Sequence, residues 1–230
     1  MTILAVCGLA REAEIAGITG VVAVAGGGDA AGLKKKLDAL HGDITGVISI
    51  GLGGGLSPHL KVGDIVIGEH VVAGPEIFAC DSRWRVLLAA RTGATHQGGI
   101  AGSDAVIASA TAKADLFHAS GGALAVDMES HVAARFAAGR GLPLAVLRVI
   151  SDDARHALPP AALVAMKPDG GIAIGRVLWS LAKNPLQLPG LIRTGRGSSK
   201  AFKALLRCRG LLGAGLGGSD LGLGFGGVDF

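Results

Sequence analysis

The stretch 144-LAVLRVISDDARHALPP-160 decides how the rest of the chain is read. It opens as an apolar run around one Arg, without alternation, the pattern of a strand buried in a parallel sheet. The run stops at Ser151-Asp152-Asp153, and a Pro pair follows at 159 and 160. Open α/β sheets bind their ligands at the carboxyl edge of such strands. Two adjacent carboxylates there are either chemistry or the polar start of a turn.

Outward from this strand the pattern repeats. Apolar runs at 2–7, 21–24, 47–50, 64–73 and 123–126 alternate with helix-like stretches at 9–17, 29–40, 82–92, 109–120 and 128–141. The alternation predicts an α/β fold with three layers, α/β/α, around a central sheet. One connection differs. After VISI (47–50), the chain passes through GLGGGLSPHLKVG into the next strand with no room for a helix. That predicts a hairpin-like or antiparallel excursion, and hence a mixed sheet.

Composition sets the class. A chain of 230 residues, half of them hydrophobic, fits one good-sized domain with an appendage. With 39 Gly, no Tyr and few aromatic residues, the core is built from small aliphatics. Cys7, Cys80 and Cys208 are scattered without metal-ligand spacing, which suits reduced thiols and a cytoplasmic location. The N-terminus has no basic region ahead of an apolar one, so no signal peptide is expected. No apolar run reaches the roughly 18 residues of a spanning helix.

Charge is unevenly placed. Through Asp169 there are 14 basic and 16 acidic residues, whereas Gly170–Gly210 holds eight basic residues and no acidic one. This argues against nucleic acid as a partner and for a local cationic surface. The chain accordingly divides into a catalytic domain (1–169), a basic helical extension (170–212) and a Gly/Leu-rich flexible tail (213–230). In the extension, a helix over 171–183 is broken by Asn184-Pro185 and Leu188-Pro189. Ser198 or Ser199 can cap a second, over 200–212, with Phe202, Leu205 and Leu206 opposite Lys200, Lys203 and Arg207.

Three further stretches can carry chemistry. GLGGGL (51–56) fails as a dinucleotide fingerprint, because Leu56 holds the third glycine position and no helix follows. It is either a tight turn or a set of backbone donors for a small anion or a sugar. In VDMES (126–130), Asp127 can cap a helix with Glu129 in its first turn. Alternatively, a carboxylate there accepts two vicinal hydroxyls, as a ribose presents them. Glu12 and Glu14 follow the first strand, as a solvated helix face or as site acids. No histidine has metal-ligand spacing, and serine-hydrolase and zinc-protease motifs are absent from the sequence.

Gly8-x-x-x-Glu12, the Gly-rich stretch running into LKVGDIVI, VDMES and RVISDDA, in that order, resemble the nucleoside phosphorylase and nucleosidase superfamily. That group includes methylthioadenosine/S-adenosylhomocysteine nucleosidases. The segment SLAKNPLQLPGLIRTGRGSSKAFKALLRCRGLL is similar to the hopanoid-associated phosphorylase branch. The resemblance implies cleavage of a purine N-glycosidic bond, with release of adenine from adenosylhopane, by phosphorolysis or hydrolysis. Methylthioadenosine-type soluble substrates and a non-catalytic nucleoside-binding or membrane-scaffold role are the alternatives.

The resemblance also implies roles. Asp152 protonates the leaving base and Ser151 orients it, with burial and the charge of Asp153 keeping Asp152 protonated. Glu12 activates water, although its spacing from Gly8 is one residue short and Glu14 overshoots by one. Glu129 and Asp127 belong to the sugar site, and Met128 packs on the sugar. Leu52 stands where relatives carry a hydroxyl, so phosphate as co-substrate would rely on Gly53, Gly54 and Arg11. No metal or organic cofactor is implied. The implied partners are a nucleoside-lipid, an anionic membrane face met by the basic extension, and further copies of the chain.

Overall fold

The computed structural model describes residues 2–164, 170–171 and 173–222. Its strands are β1 (Thr2–Cys7), β2 (Val21–Ala25), β3 (Ile44–Gly55), β4 (Ile65–Ala73), β5 (Glu76–Ala79), β6 (His96–Gly102), β7 (Ala125–Asp127) and β8 (Leu144–Asp152). Its helices are α1 (Ala10–Ala16), α2 (Ala30–Asp38), α3 (Ser82–Thr92), α4 (Ala110–Ala119), α5 (Ser130–Gly139), α6 (Pro160–Leu163), α7 (Ile174–Lys183) and α8 (Leu188–Leu212). Asp29, Asp81 and Ser109 cap α2, α3 and α4 through their side chains, so three helix starts are written locally.

The sheet is mixed, as expected. β1 pairs in parallel with β2 and β3, β3 with β8, and β4 and β7 with β6. β4 runs antiparallel to β5 and β8, and β3 to β7. The pairings β3–β8–β4–β6–β7 and back to β3 close a ring. The connection after VISI is therefore not a hairpin, because β4 lies beside β8 and not beside β3. The glycines expected to turn there instead carry β3 on as strand through Gly55.

Alternation in β1 separates the two helix layers. Ile3, Ala5 and Cys7 face Trp84 and Leu88 of α3 and Ala201, Leu205, Cys208 and Leu212 of α8. Leu4 and Val6 face Leu33 and Leu37 of α2 and Val132–Ala137 of α5. The expected three-layer α/β/α arrangement is what these two apolar faces build.

The extension differs from expectation in two ways. Its second helix begins at Leu188, with Pro189 in a first turn that lacks intrahelical N–H partners anyway, and Ser198 and Ser199 lie inside it. Gly197, Ala201, Ala204, Leu205, Cys208 and Leu212 are buried, so this helix turns its apolar face into the domain and not outward. The start of the Gly/Leu-rich tail is also packed. Leu216 is buried, its carbonyl accepts the Trp84 indole N–H at 3.1 Å, and Asp220 pairs with Arg91 at 2.7 Å. The expectation of a flexible tail thus fails for 213–222, and 223–230 lie outside the described residues.

Candidate active site

The parallel strands β3 and β8 end together, and β7 meets β3 from the opposite direction at Gly54–Val126. Around these ends lies a cleft of about 230 Å³. Its wall holds Glu12, Asp127, Met128, Glu129, Ser151 and Asp152, with Gly53 and Gly54 on its floor. A larger groove of about 770 Å³ lies between α2 and α5, but none of these acids lines it.

The glycines of β3 explain how so many charges share one place. A Cβ on Gly51 would stand 2.6 Å from Glu12 Oε2, and one on Gly53 3.2 Å from Arg148 Cδ. A Cβ on Gly54 would stand 3.3 Å from Asp152 Oδ2. The first is closer than real Cβ atoms stand and the other two are tight, so the strand is glycine where charged side chains cross it. The Gly-rich stretch is a mould for site residues, not a turn.

Glu12 projects from the first turn of α1 and is buried. Its Oε2 accepts the N–H groups of Gly8 at 2.7 Å and Leu9 at 2.9 Å, and its Oε1 that of Leu52 at 2.8 Å. Burial pushes its pKa up, although these three bonds and the Arg148 charge oppose the shift. Glu14 is exposed, so of the two acids only Glu12 reaches the cleft.

Asp127 has both oxygens occupied. Oδ1 accepts the N–H groups of Glu129 and Ser130, and Oδ2 the Arg148 Nε at 2.6 Å. It thus holds the backbone N–H groups at the start of α5 and partners a buried arginine, which leaves little of it for a sugar. Burial alone would raise its pKa, but the Arg148 charge and bond outweigh that and hold it low. Glu129 is different. Burial, with the Asp127 charge added, pushes it up to about 8 while Arg148 opposes. Both acids line the cleft, and Asp127 is the one bonded to Arg148.

Asp152 closes the strand with Ser151 beside it. The Ser151 hydroxyl donates to Asp152 Oδ1 at 2.8 Å, while Lys113 Nζ from α4 donates to Oδ2 at 2.5 Å. Lys113 is fully buried and also reaches the carbonyls of Asp153 at 2.7 Å and His156 at 3.2 Å. The expectation that Asp153 keeps its neighbour protonated is therefore corrected. Asp153 pairs with His156 at 2.7 Å and accepts the backbone N–H groups of Arg155 and His156. Burial pushes its pKa up, but these bonds outweigh it and lower it. The charge nearest Asp152 is the Lys113 ammonium.

Arg11 is the second correction. It is exposed and stacks on the Phe202 ring, 4.6 Å from the centroid, away from the cleft. Gly53 and Gly54 do reach the cleft, but both lie in strand register with β8, opposite Ile150 and Asp152. Leu52, which stands between them and Glu12, gives its N–H to that acid.

Lys113 and Arg148 hold two of the cleft acids, and the motifs assigned neither a role. Arg148 could have been found, since a charge inside LAVLRVI demands a buried partner. Lys113 sits in an ordinary helix and left no such signal. The mouth of the cleft is apolar, formed by Ala105, Val106, Ile107, Leu158, Ala162 and Leu163. Among the described residues, no group of three or more His, Cys, Asp or Glu side chains is placed to hold a metal ion.

The sequence over residues 26–166 matches the Phosphorylase superfamily. Among solved structures, the fold is similar to that of the Streptococcus pneumoniae MTA/SAH nucleosidase in complex with 8-aminoadenine. The two are 20% identical, with a TM-score of 0.59 over 90% of this chain and 100% of that one. It is also similar to the 5'-methylthioadenosine/S-adenosylhomocysteine nucleosidase from Neisseria meningitidis in complex with methylthio-immucillin-A. Here identity is 19% and the TM-score 0.56, over 90% of this chain and 98% of that one. The S-adenosylhomocysteine nucleosidase from Streptococcus pyogenes gives 17% and 0.56, over 90% and 96%. No curated protein matches the chain. With the family matched over more than half its length and the mixed sheet in place, the chain belongs to the phosphorylase superfamily and is an enzyme of the nucleosidase and phosphorylase kind.

Proposed function

We propose that the protein hydrolyses the N-glycosidic bond of an adenine nucleoside whose 5′ position carries an apolar, lipid-like group, as adenosylhopane does. The observation that carries this reading is the set of acids around one cleft: a Lys113-paired Asp152, a buried Glu12 and a buried Glu129. Glu129 accepts the ribose hydroxyls and Met128 packs on the sugar. Asp152, positioned by Ser151 and Lys113, gives a proton to N7 of the base and is reprotonated from solvent after the base leaves. The C1′–N9 bond then breaks with its electron pair on a neutral base, leaving an oxocarbenium-like sugar that the nearby carboxylates stabilise. Water attacks C1′ and its proton passes to Glu12.

Hydrolysis is favoured over phosphorolysis by charge. Among the described residues that line the cleft, four are acidic and none is basic. Arg148 is tied to Asp127 and Ser49, and Arg11 lies outside. A phosphate dianion would enter without a cationic partner.

The apolar mouth, with no aromatic ring among its described residues, favours an extended aliphatic substituent over a short polar one. Base binding then rests on aliphatic contacts at Ala105–Ile107 and on backbone groups. Adenine release is measured with adenosylhopane and with methylthioadenosine, each with and without phosphate. Faster release from the lipid substrate, unchanged by phosphate and yielding free ribosyl product, is expected. Strict phosphate dependence overturns the hydrolytic reading. Preference for methylthioadenosine moves the protein to the soluble-substrate alternative, and no release from either makes it a binding protein.

A further inference from the structure

Among the described residues, the segment beyond the cleft leaves one apolar face uncovered. On α7, Val177, Ser180 and Leu181 turn inward, while Ile174, Leu178 and Trp179 are 67%, 60% and 65% exposed. At a helical step of about 100°, these three residues and Ala182 share one side, and Arg176 and Lys183 flank it. Lys183 Nζ lies 5.0 Å from the centre of the Trp179 ring. The stripe continues through Leu186, which is 89% exposed, to Leu188 and Ile192 in the first turns of α8. Exposed Arg193 and Arg196 follow it. Hydrophobic side chains standing this far out of a water-facing surface mark an interaction site.

We propose that this face of α7, with Leu186 and the start of α8, docks the protein on an anionic lipid surface. An apolar stripe with Trp at its edge and cations alongside matches a bilayer interface, where rings and alkyl groups enter the headgroup boundary and cations meet lipid charge. A second copy of the chain fits worse. A two-fold contact would set Arg176, Lys183, Arg193 and Arg196 against themselves, and the segment 170–210 has no acidic residue to pair them. The face identified here differs from the 200–212 helix, whose apolar side is buried in the domain.

The docking face is tied to the cleft. Gln187 accepts the Ala161 N–H of α6 at 2.8 Å and donates to the Ser180 carbonyl of α7 at 2.6 Å. Ala162 and Leu163, next in α6, form the apolar mouth. A bilayer under α7 therefore lies beside the opening through which a lipid-linked nucleoside would enter. The docking surface stands on its own residues and does not depend on the reaction assigned to the cleft.

Binding is tested with the full chain and no substrate, on vesicles of phosphatidylcholine mixed with phosphatidylglycerol and on phosphatidylcholine alone. Cosedimentation with the mixed vesicles only is expected. Brominated lipid should quench Trp179, while Trp84, the other tryptophan and fully buried, stays bright. Leu178→Asp with Leu186→Asp should abolish binding. Each of Arg176→Gln and Lys183→Gln should weaken it roughly five-fold. All four positions are exposed, so the fold should survive, as circular dichroism would verify. No cosedimentation of the parent protein, or full binding by the double Asp variant, overturns the proposal. A double variant that changes only the mass in analytical ultracentrifugation assigns the face to a second copy.

Discussion

In the proposed reaction Asp152 is the acid, and its substitution has the plainest consequence. Asp152→Asn keeps the shape but has no acidic proton to give the base, so kcat for base release should fall by about 10²–10⁴-fold. Full activity in that variant would remove Asp152 as the acid. Lys113→Met should also lower kcat, with KM little changed and the pH profile of kcat displaced. An unaltered profile would make Lys113 a purely structural contact. Glu129 gives a prediction with two opposite slopes. Its pKa rises from about 4.5 to about 8 on folding, so between those values the folded state binds more protons than the unfolded one. Stability should therefore fall as pH rises through that window. Ribose binding needs the carboxylate as acceptor, so affinity should improve over the same window. Glu129→Gln should flatten most of both slopes, read by thermal melts and by KM against pH, with buried Glu12 supplying what remains.

At the scale of single elements, β3 is the sensitive one. Gly51→Ala sets a methyl 2.6 Å from the Glu12 carboxylate, so activity should collapse while the sheet still forms. Normal turnover with a native circular dichroism spectrum would show that Glu12 is not held where activity needs it. Arg148→Met should act differently, because it strands Asp127 as an unpaired buried charge. A loss of about 3–5 kcal/mol in denaturant unfolding is expected.

The same element shows what was legible in the sequence. Strands at 2–7 and 144–151 announce themselves, because both faces are buried and the residues are Val, Ile and Leu. β6, HQGGIAG, was missed, as was the glycine half of β3 as strand. Their glycines are dictated from far away: a Cβ on Gly98 would meet Leu124 at 2.8 Å, on Gly99 His70 Nε2 at 2.7 Å, and on Gly102 His131 Cβ at 2.3 Å. Local propensity reads such residues as loop, since the contacts that require them appear only once the sheet closes. Asp152, Ser151, Met128 and Glu129 were legible because strand-end position is a local property. Lys113 was not, because its partners lie 39 and more residues along the chain.

Across the whole molecule, the catalytic sheet and the C-terminal extension are one packed body. Gly197 of α8 has no room for a Cβ, which would stand 2.4 Å from the Ser151 carbonyl, so α8 touches the strand that carries the acid. Helix α8 and the residues after it also close over Trp84. Cutting the chain after Leu212 removes buried Leu216, its carbonyl on the Trp84 indole and the Arg91–Asp220 pair. A loss of about 3 kcal/mol is expected, with Trp84 emission shifted to the red. A truncated protein as stable as the parent would show that this packing contributes nothing. Among the described residues, no helix is long and apolar enough to cross a membrane.

The glycines of β3 bear on anyone who would move this site to another scaffold. Copying Glu12, Asp152 and Arg148 onto a strand with ordinary side chains would fail, because methyl groups on residues 51, 54 and 53 would crowd each of them in turn. The transferable unit is the bare strand together with the charges that cross it. A library that varies the acids and leaves residues 51, 53 and 54 free would mostly sample proteins unable to assemble them.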